Sequence, residues 1–180
     1  HLIDWVLEKN VADKSLQLWD IGTGSGIIAI TLKLERPRWE IIASDVSKQA
    51  LCLAQQNCDH LGAQLTLIQG NWFDTTAAVT KNHFDVIISN PPYIDKESPY
   101  LEQGDLRFEP KIALTDEKDG LAAYRVLSKE ALYYLKPQGW LCVEHGYTQQ
   151  AAIQQMFYKA GWTNIACRKD YAGPVSYTHL

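Results

Sequence analysis

Five residues set between an apolar run and an amphipathic one narrow the fold of this chain more than any other feature. Leu-Gln-Leu-Trp-Asp-Ile at positions 16–21 has the length and apolar character of a buried strand. Gly22-Thr23-Gly24-Ser25-Gly26 interrupts it, because glycine admits backbone conformations that a strand cannot hold. From Ile27 to Glu35 the apolar residues follow helical spacing, and Pro37 stops them. Strand, glycine turn and helix in that order form the opening half of a βαβ unit.

The same alternation continues along the chain. Strands are expected at 39–43, 65–68, 84–89, 140–144 and 163–168. Helices are expected at 1–8, 48–61, 121–135 and 148–160. Ser47 is a suitable N-cap for the helix at 48–61, and Gly62 a suitable stop. Pro137-Gln138-Gly139 ends the helix at 121–135, and Gly161 ends the one at 148–160. Phe-Asp-Val-Ile-Ile-Ser at 84–89 is apolar enough to be buried on both faces. Alternating strands and helices predict an α/β fold with a doubly wound, mostly parallel sheet. In such sheets ligands bind beyond the carboxyl ends of the strands, near the point where strand order reverses. Residues 90–120 form a long irregular stretch, of a length that is usually functional.

One hundred and eighty residues suit one domain with a real core. A net charge of −4 opposes broad attraction to nucleic acid, which rests on Lys and Arg meeting phosphate. Cys52, Cys58, Cys142 and Cys167 are scattered without a Cys-x-x-Cys pair, so reduced thiols in a cytoplasmic protein are expected, and no metal site. No apolar run reaches the roughly 18 residues of a membrane span. A monomer is expected, with no membrane partner and no direct nucleic acid binding. The chain opens on His1 inside a helical pattern, which predicts a fragment whose N-terminal part lies elsewhere.

The glycine loop points to a ligand. A dinucleotide fingerprint reads G-x-G-x-x-G, whereas here the third glycine arrives one residue early. That spacing suits a ligand that sets no phosphate on the helix end, and it disfavours a nicotinamide-dependent dehydrogenase. Asp45 stands 23 positions after Gly22, at the end of the second strand, where a carboxylate can accept from both hydroxyls of a ribose. Loop and acid together fit adenosine, and favour S-adenosylmethionine over NAD. In Asn71-Trp72-Phe73, Trp72 can pack on an adenine face and the Asn71 amide can read its edge; Trp72 equally fits a core position.

Asn90-Pro91-Pro92-Tyr93 directly follows the fourth strand and is the most specific signal in the chain. The prolines fix the backbone. The Asn90 side-chain oxygen and the Pro91 carbonyl are two acceptors, able to take both hydrogens of a substrate –NH2. An amide nitrogen is planar and a poor nucleophile. Accepting both N–H groups in a tetrahedral arrangement favours the rehybridised nitrogen, so the contact strengthens in the transition state, as catalysis requires. Tyr93 can pack on the flat substrate group and aim the nitrogen at a methyl donor. The tetrapeptide alone does not choose between a base and an amide.

Taken together, Gly22 to Gly26, Asp45, Asn71-Trp72-Phe73 and Asn90-Pro91-Pro92-Tyr93-Ile94 resemble the HemK/PrmC protein-(glutamine-N5) methyltransferases over nearly the whole chain. Gln103-Gly104-Asp105-Leu106-Arg107-Phe108-Glu109-Pro110, Ala113-Leu114, Asp119-Gly120 and Glu144-His145-Gly146 extend the likeness. The resemblance implies the Rossmann-like fold of class I S-adenosylmethionine-dependent methyltransferases. It implies methyl transfer from S-adenosyl-L-methionine to the glutamine of the Gly-Gly-Gln motif in peptide-chain release factors. By the same likeness Gly22, Thr23, Gly24, Ser25, Gly26, Asp45, Trp72 and Asn90 would bind the cofactor, and Asn90, Pro91, Pro92 and Tyr93 the target glutamine. Arg107 and Glu109 would order the long loop over the peptide or pair with each other, and His145 would be structural rather than a base.

Three departures stand out. Asn71 occupies a position where the family usually has Asp. The resemblance implies an N-terminal helical domain that grips the release factor, and these residues are expected not to include it. Residues 172–180 do not resemble the family's final strand, so the last strand is expected to be incomplete and the tail non-native. Competing readings are methylation of a nucleic acid base (adenine N6 or guanine N2) or of a ribosomal-protein glutamine, and a fragment that binds adenosylmethionine without turnover.

Overall fold

The computed structural model describes residues 2–9, 15–74, 79–96, 114–115, 118–169 and 175–179. The chain forms two compact units: His1–Ser89 with Glu130–Cys142, and Asn90–Lys129 with Val143–Leu180.

The first unit is a wound α/β layer. It contains α1 (Leu2–Lys9), β1 (Gln17–Ile21), α2 (Ile27–Glu35), β2 (Glu40–Asp45), α3 (Lys48–Leu61), β3 (Thr66–Gln69) and β4 (Phe84–Ser89). β1 lies parallel to both β2 and β4, and β2 parallel to β3. The strand order is β3-β2-β1-β4, followed by β5 (Leu135–Gly146), whose residues through Cys142 belong to this unit. The chain thus runs outward from β1 to β3 and returns to the far side of β1 as β4. That reversal opens a crevice at the carboxyl ends of β1 and β4.

Burial explains why β1 and β4 are central. Leu18, Trp19, Val86, Ile87 and Ile88 are wholly inaccessible. Trp19 organises this core: Phe73, Phe84 and Tyr134 have ring centroids 5.4, 5.2 and 5.5 Å from its own. Its indole N–H donates to Ser44 Oγ at 2.9 Å, so the buried donor is satisfied. α3 has the expected ends. Ser47 Oγ accepts from the Ala50 amide, and Gly62 closes the helix at φ +71.

The second unit contains the start of α4 (Ala122–Tyr134), the end of β5, a 3-10 turn (Tyr147–Gln149), α5 (Gln150–Lys159), β6 (Ala166–Lys169) and β7 (Val175–His179). Tyr124, Leu127, Ile153 and Phe157 form its core. Trp162 meets Phe157 edge-on at 5.4 Å and donates its indole N–H to Ser128 O at 2.8 Å.

Three expectations change. The tail expected not to resemble a family strand does enter the sheet: Val175–His179 pairs antiparallel with β6, in register from Ala166↔His179 to Lys169↔Ser176. A ladder needs main-chain partners rather than a family-like sequence, and Val, Tyr and Thr suit a strand. β5 begins at Leu135 rather than 140, because Gln138 takes a left-handed φ of +68 within the strand instead of ending it. The stretch after Asn90 is tied back early: the Ile94 amide donates to Leu114 O at 2.9 Å, beside a parallel bridge from Ile94 to Thr115. Among the described residues no helix is long and apolar enough to cross a membrane.

Candidate functional site

The glycine loop sits at the carboxyl end of β1, where its main-chain groups are met by the backbone of β2 and by the side chains of Asp45 and Asn57. The Gly22 and Thr23 amides both donate to Ser44 O, at 2.8 and 2.9 Å. The Gly24 amide donates to Asp45 Oδ2 at 2.9 Å, and the Ser47 amide to Asp45 Oδ1 at 2.8 Å. Asp45 therefore fastens the loop to the end of β2 and also caps the turn into α3. Each of its oxygens keeps a further lone-pair direction. From α3, Asn57 Nδ2 donates to Ser25 O at 2.9 Å.

The three glycines divide the work. Gly22 and Gly24 are left-handed, at φ +74 and +57, and a Cβ on either would meet nothing within 4 Å. Gly26, at φ +82, would press its Cβ on Ile30 Cδ1 at 3.0 Å and Ala54 Cβ at 3.2 Å. The first two face open space at the strand end, whereas the third lets α2 and α3 close together. This is the physical meaning of the early third glycine.

Asp20, the last polar residue of β1 before the loop, was not singled out from sequence. It is fully inaccessible, and its Oδ2 accepts from Thr23 Oγ1 at 2.6 Å. Oδ1 has no hydrogen-bond partner among the described residues. Burial pushes the carboxyl up to about 7, and Asp45 pushes in the same direction. The Thr23 hydroxyl and the Ala29 amide oppose them. The available signal was an acid embedded in an apolar strand, where a carboxylate is costly.

Asn71-Trp72-Phe73 forms a tight turn closed by the Asp74 amide on Asn71 O at 2.9 Å. Phe73 is the anchor, stacked on Tyr134 at 5.1 Å and edge-on to Trp19. Trp72 is half-buried and left-handed, at φ +52. For a bulky residue that conformation costs about 1–3 kcal/mol. Trp72 is thus not one of the core tryptophans, which are Trp5, Trp19, Trp39 and Trp162. Asn71 is exposed.

The two strand ends at the crevice are joined by one bond. Ser89 Oγ, at the end of β4, donates to Ile21 O at 2.7 Å, at the end of β1. Gly22 follows one of these residues and Asn90 the other.

Asn90 opens the second unit. It is exposed, Pro91 is buried, and Pro92 and Tyr93 are half-buried. Tyr93 is held at both ends: its hydroxyl lies 3.3 Å from Glu144 Oε1, and its carbonyl accepts from Gln149 Nε2 at 2.9 Å. Glu144 O in turn accepts from the Tyr124 hydroxyl at 2.7 Å. His145 is inaccessible, with Nδ1 2.9 Å from Gly146 O, and burial holds its imidazole below the usual range. That environment suits a neutral structural ring. Residues 103–110, with Arg107 and Glu109, and Ala113 lie outside the described residues.

All four cysteines carry free thiols, and no group of His, Cys, Asp and Glu among the described residues is arranged to hold a metal.

The methyltransferase small domain model matches residues 4–102. A protein named release factor glutamine methyltransferase from Neisseria gonorrhoeae is 43% identical over 173 residues, 96% of this chain and 62% of that protein. One of the same name from Bordetella pertussis is 44% identical over 154 residues, 86% of this chain and 56% of the other. This chain therefore spans about three-fifths of the length of the curated relatives it matches. Among solved structures, a methyltransferase from Pyrococcus furiosus superposes with a TM-score of 0.72 at 19% identity, covering 98% of this chain and 79% of that one. A ribosomal protein L11 methylase from Lactobacillus delbrueckii gives 0.67 at 20% identity, covering 99% and 75%. At such identities these two structures speak for the Rossmann-like fold alone.

Proposed function

The chain belongs to the methyltransferase small domain family, and from that premise we propose that it transfers a methyl group from S-adenosylmethionine to the side-chain amide nitrogen of a glutamine in a peptide-chain release factor. The observation that carries this reading is the Ser89–Ile21 hydrogen bond. It joins Ile21 and Ser89, the residues that precede Gly22 and Asn90 in the chain. The names of the relatives support the release factor as substrate. A cytoplasmic, monomeric enzyme fits a substrate of the translation machinery.

The residues present fit the cofactor. Open space in front of Gly22 and Gly24 admits a ligand against the loop backbone. Asp45 keeps acceptor capacity for ribose hydroxyls. The buried, unpartnered Asp20 Oδ1 suits an ammonium group such as the methionine moiety carries. Trp72 is exposed enough to cover an adenine face, and Thr23 and Ser25 line the same loop. When bound, the cofactor supplies a methyl on a sulfonium, which leaves its bonding electrons on sulfur.

This chain's own part is to prepare the nitrogen. The Asn90 side-chain oxygen and the Pro91 carbonyl accept the two amide hydrogens, and Pro92 keeps the turn rigid. Tyr93 packs on the flat carboxamide. Rehybridised in this clamp, the nitrogen directs its lone pair to form the N–C bond, and it later sheds one proton. The contacts tighten only as the nitrogen becomes tetrahedral, so they lower the barrier rather than merely hold substrate.

The test is methyl transfer from labelled S-adenosylmethionine to a release factor with an intact Gly-Gly-Gln motif, with duplex DNA, ribosomal RNA and ribosomal protein as competing acceptors. Mass-spectrometric assignment of the methyl to the motif glutamine is the expected result. Transfer to nucleic acid alone, or cofactor binding with no transfer to protein, overturns the reading.

A further inference from the structure

Gln149, at the end of the 3-10 turn after β5, makes three hydrogen bonds with one side chain. Its Oε1 accepts from the Gly146 amide at 3.0 Å. Its Nε2 donates to Tyr93 O at 2.9 Å and to Gly120 O at 3.1 Å. These partners lie on separate segments, 56 and 29 residues away for Tyr93 and Gly120. A carboxamide nitrogen has two hydrogens, and both are used.

The surroundings are built for this arrangement. Two carbonyl oxygens converging on one point repel unless a shared donor stands between them. Gly120 makes the approach possible. It is left-handed at φ +69, and a Cβ there would fall 2.3 Å from Tyr93 O and 2.7 Å from Gln149 Nε2. Tyr93 is also met at its hydroxyl by Glu144, so the carboxyl end of β5 and the turn after it grip this residue at both extremities.

We propose that Gln149 is a positioning residue for the methyl acceptor, acting through the Tyr93 carbonyl to fix the tetrapeptide that clamps the substrate nitrogen. The proposal rests on the reading that Asn90 to Tyr93 receives the acceptor amide. Gln149 touches no reacting atom in that reading. Its donor geometry, rather than its bulk, is what counts. An isosteric acid at this position would turn a third oxygen toward two carbonyls.

The experiment compares the full chain with Gln149→Glu, Gln149→Leu and Gly120→Ala. Three quantities are measured: kcat/KM for the release factor, affinity for S-adenosylhomocysteine by calorimetry, and amide hydrogen exchange at Gly146 and Ile94. Gln149→Glu, which preserves volume, is expected to lower kcat/KM at least about tenfold, in line with losing hydrogen bonds to a preorganised site. Cofactor affinity is expected to stay within about twofold, because the changed contacts all lie in the second unit. Gly120→Ala should reproduce the loss with Gln149 intact, and exchange at Gly146 and Ile94 should quicken in both Gln149 variants. Wild-type kcat/KM in Gln149→Glu overturns the proposal, as does a parallel loss of cofactor affinity, which would mark a merely structural residue. If the wild-type chain itself methylates no release factor, the functional reading fails separately. Exchange then decides the latch without substrate, and unchanged protection in the Gln149 variants refutes it.

Discussion

The glycine loop in the first unit and the Tyr93 grip in the second are both anchored at strand ends, yet they are fastened by different means. The loop engages through its own backbone groups: the Gly22 and Thr23 amides to Ser44 O, the Gly24 amide to the Asp45 carboxylate, and Ser25 O to the Asn57 side-chain amide. Tyr93 is held by side chains reaching from distant segments, through Gln149 and Glu144. A backbone-built cradle tolerates many residue changes but fails wherever a special conformation is lost. A side-chain-built grip can be tuned, or broken, by one substitution that leaves the fold intact. Cofactor binding should therefore respond to Gly24 and Asp45, and acceptor handling to Asn90, Tyr93 and Gln149.

The sharpest break would come from Asn90→Ala. Turnover is expected to fall by about 100-fold or more, the usual result of deleting one preorganised transition-state hydrogen bond. Cofactor affinity should fall far less than turnover. Activity that survives within tenfold, or affinity that falls alongside it, would merge the two regions into one. Next in size is Asp45→Ala, expected to weaken cofactor binding by about 10- to 100-fold, the range for a charged hydrogen-bonding partner. At saturating cofactor, kcat should be retained; steady-state kinetics over a wide cofactor range will show whether it is.

A third prediction concerns pH. The folded-state pKa of Asp20, about 7, lies above its unfolded value. Folding therefore takes up a proton across the window from about pH 4 to 7, and stability from this group declines as pH rises through it. Asp20→Asn cannot titrate, so its melting temperature should gain on wild type between pH 5 and pH 8. Thermal melts at the two pH values test this, and parallel profiles would remove the buried acid from the account. The smallest effect is expected at the exposed pair of Asp119 and Arg125, although Asp119 is the residue before Gly120. Arg125 holds the Asp119 carboxyl down at about 2. Exposed pairs contribute about 0–1 kcal/mol. Arg125→Ala should leave kcat/KM within about twofold and the melting temperature nearly unmoved; a large loss would show that the second unit depends on its surface as well.

Much of the first unit could be read from the chain itself. Its elements depend on local signals: an apolar run, a capping Ser47, a closing Gly62. The places of the loop and of Asp45 at the ends of β1 and β2 were legible because each directly follows an apolar run. Two positions of the first unit were not legible: Gln138 and Trp72 both take left-handed backbone without being Gly or Asn, so turn composition gave no warning. The second unit was harder. Gln149 is an ordinary residue in a short turn, and its partners are too far along the chain for any spacing rule to join them. Asp20 was visible as a residue, but only burial shows that one of its oxygens lacks a partner.

Trp72 carries a consequence for how such a chain can change. Its backbone resists the conformation that the turn imposes, while its half-buried ring is presented as it is only because that turn holds. If the ring carries adenine, Trp72→Gly would raise the melting temperature and lower cofactor affinity together. Breeding this protein for heat tolerance and breeding it for ligand would then pull in opposite directions at a single codon.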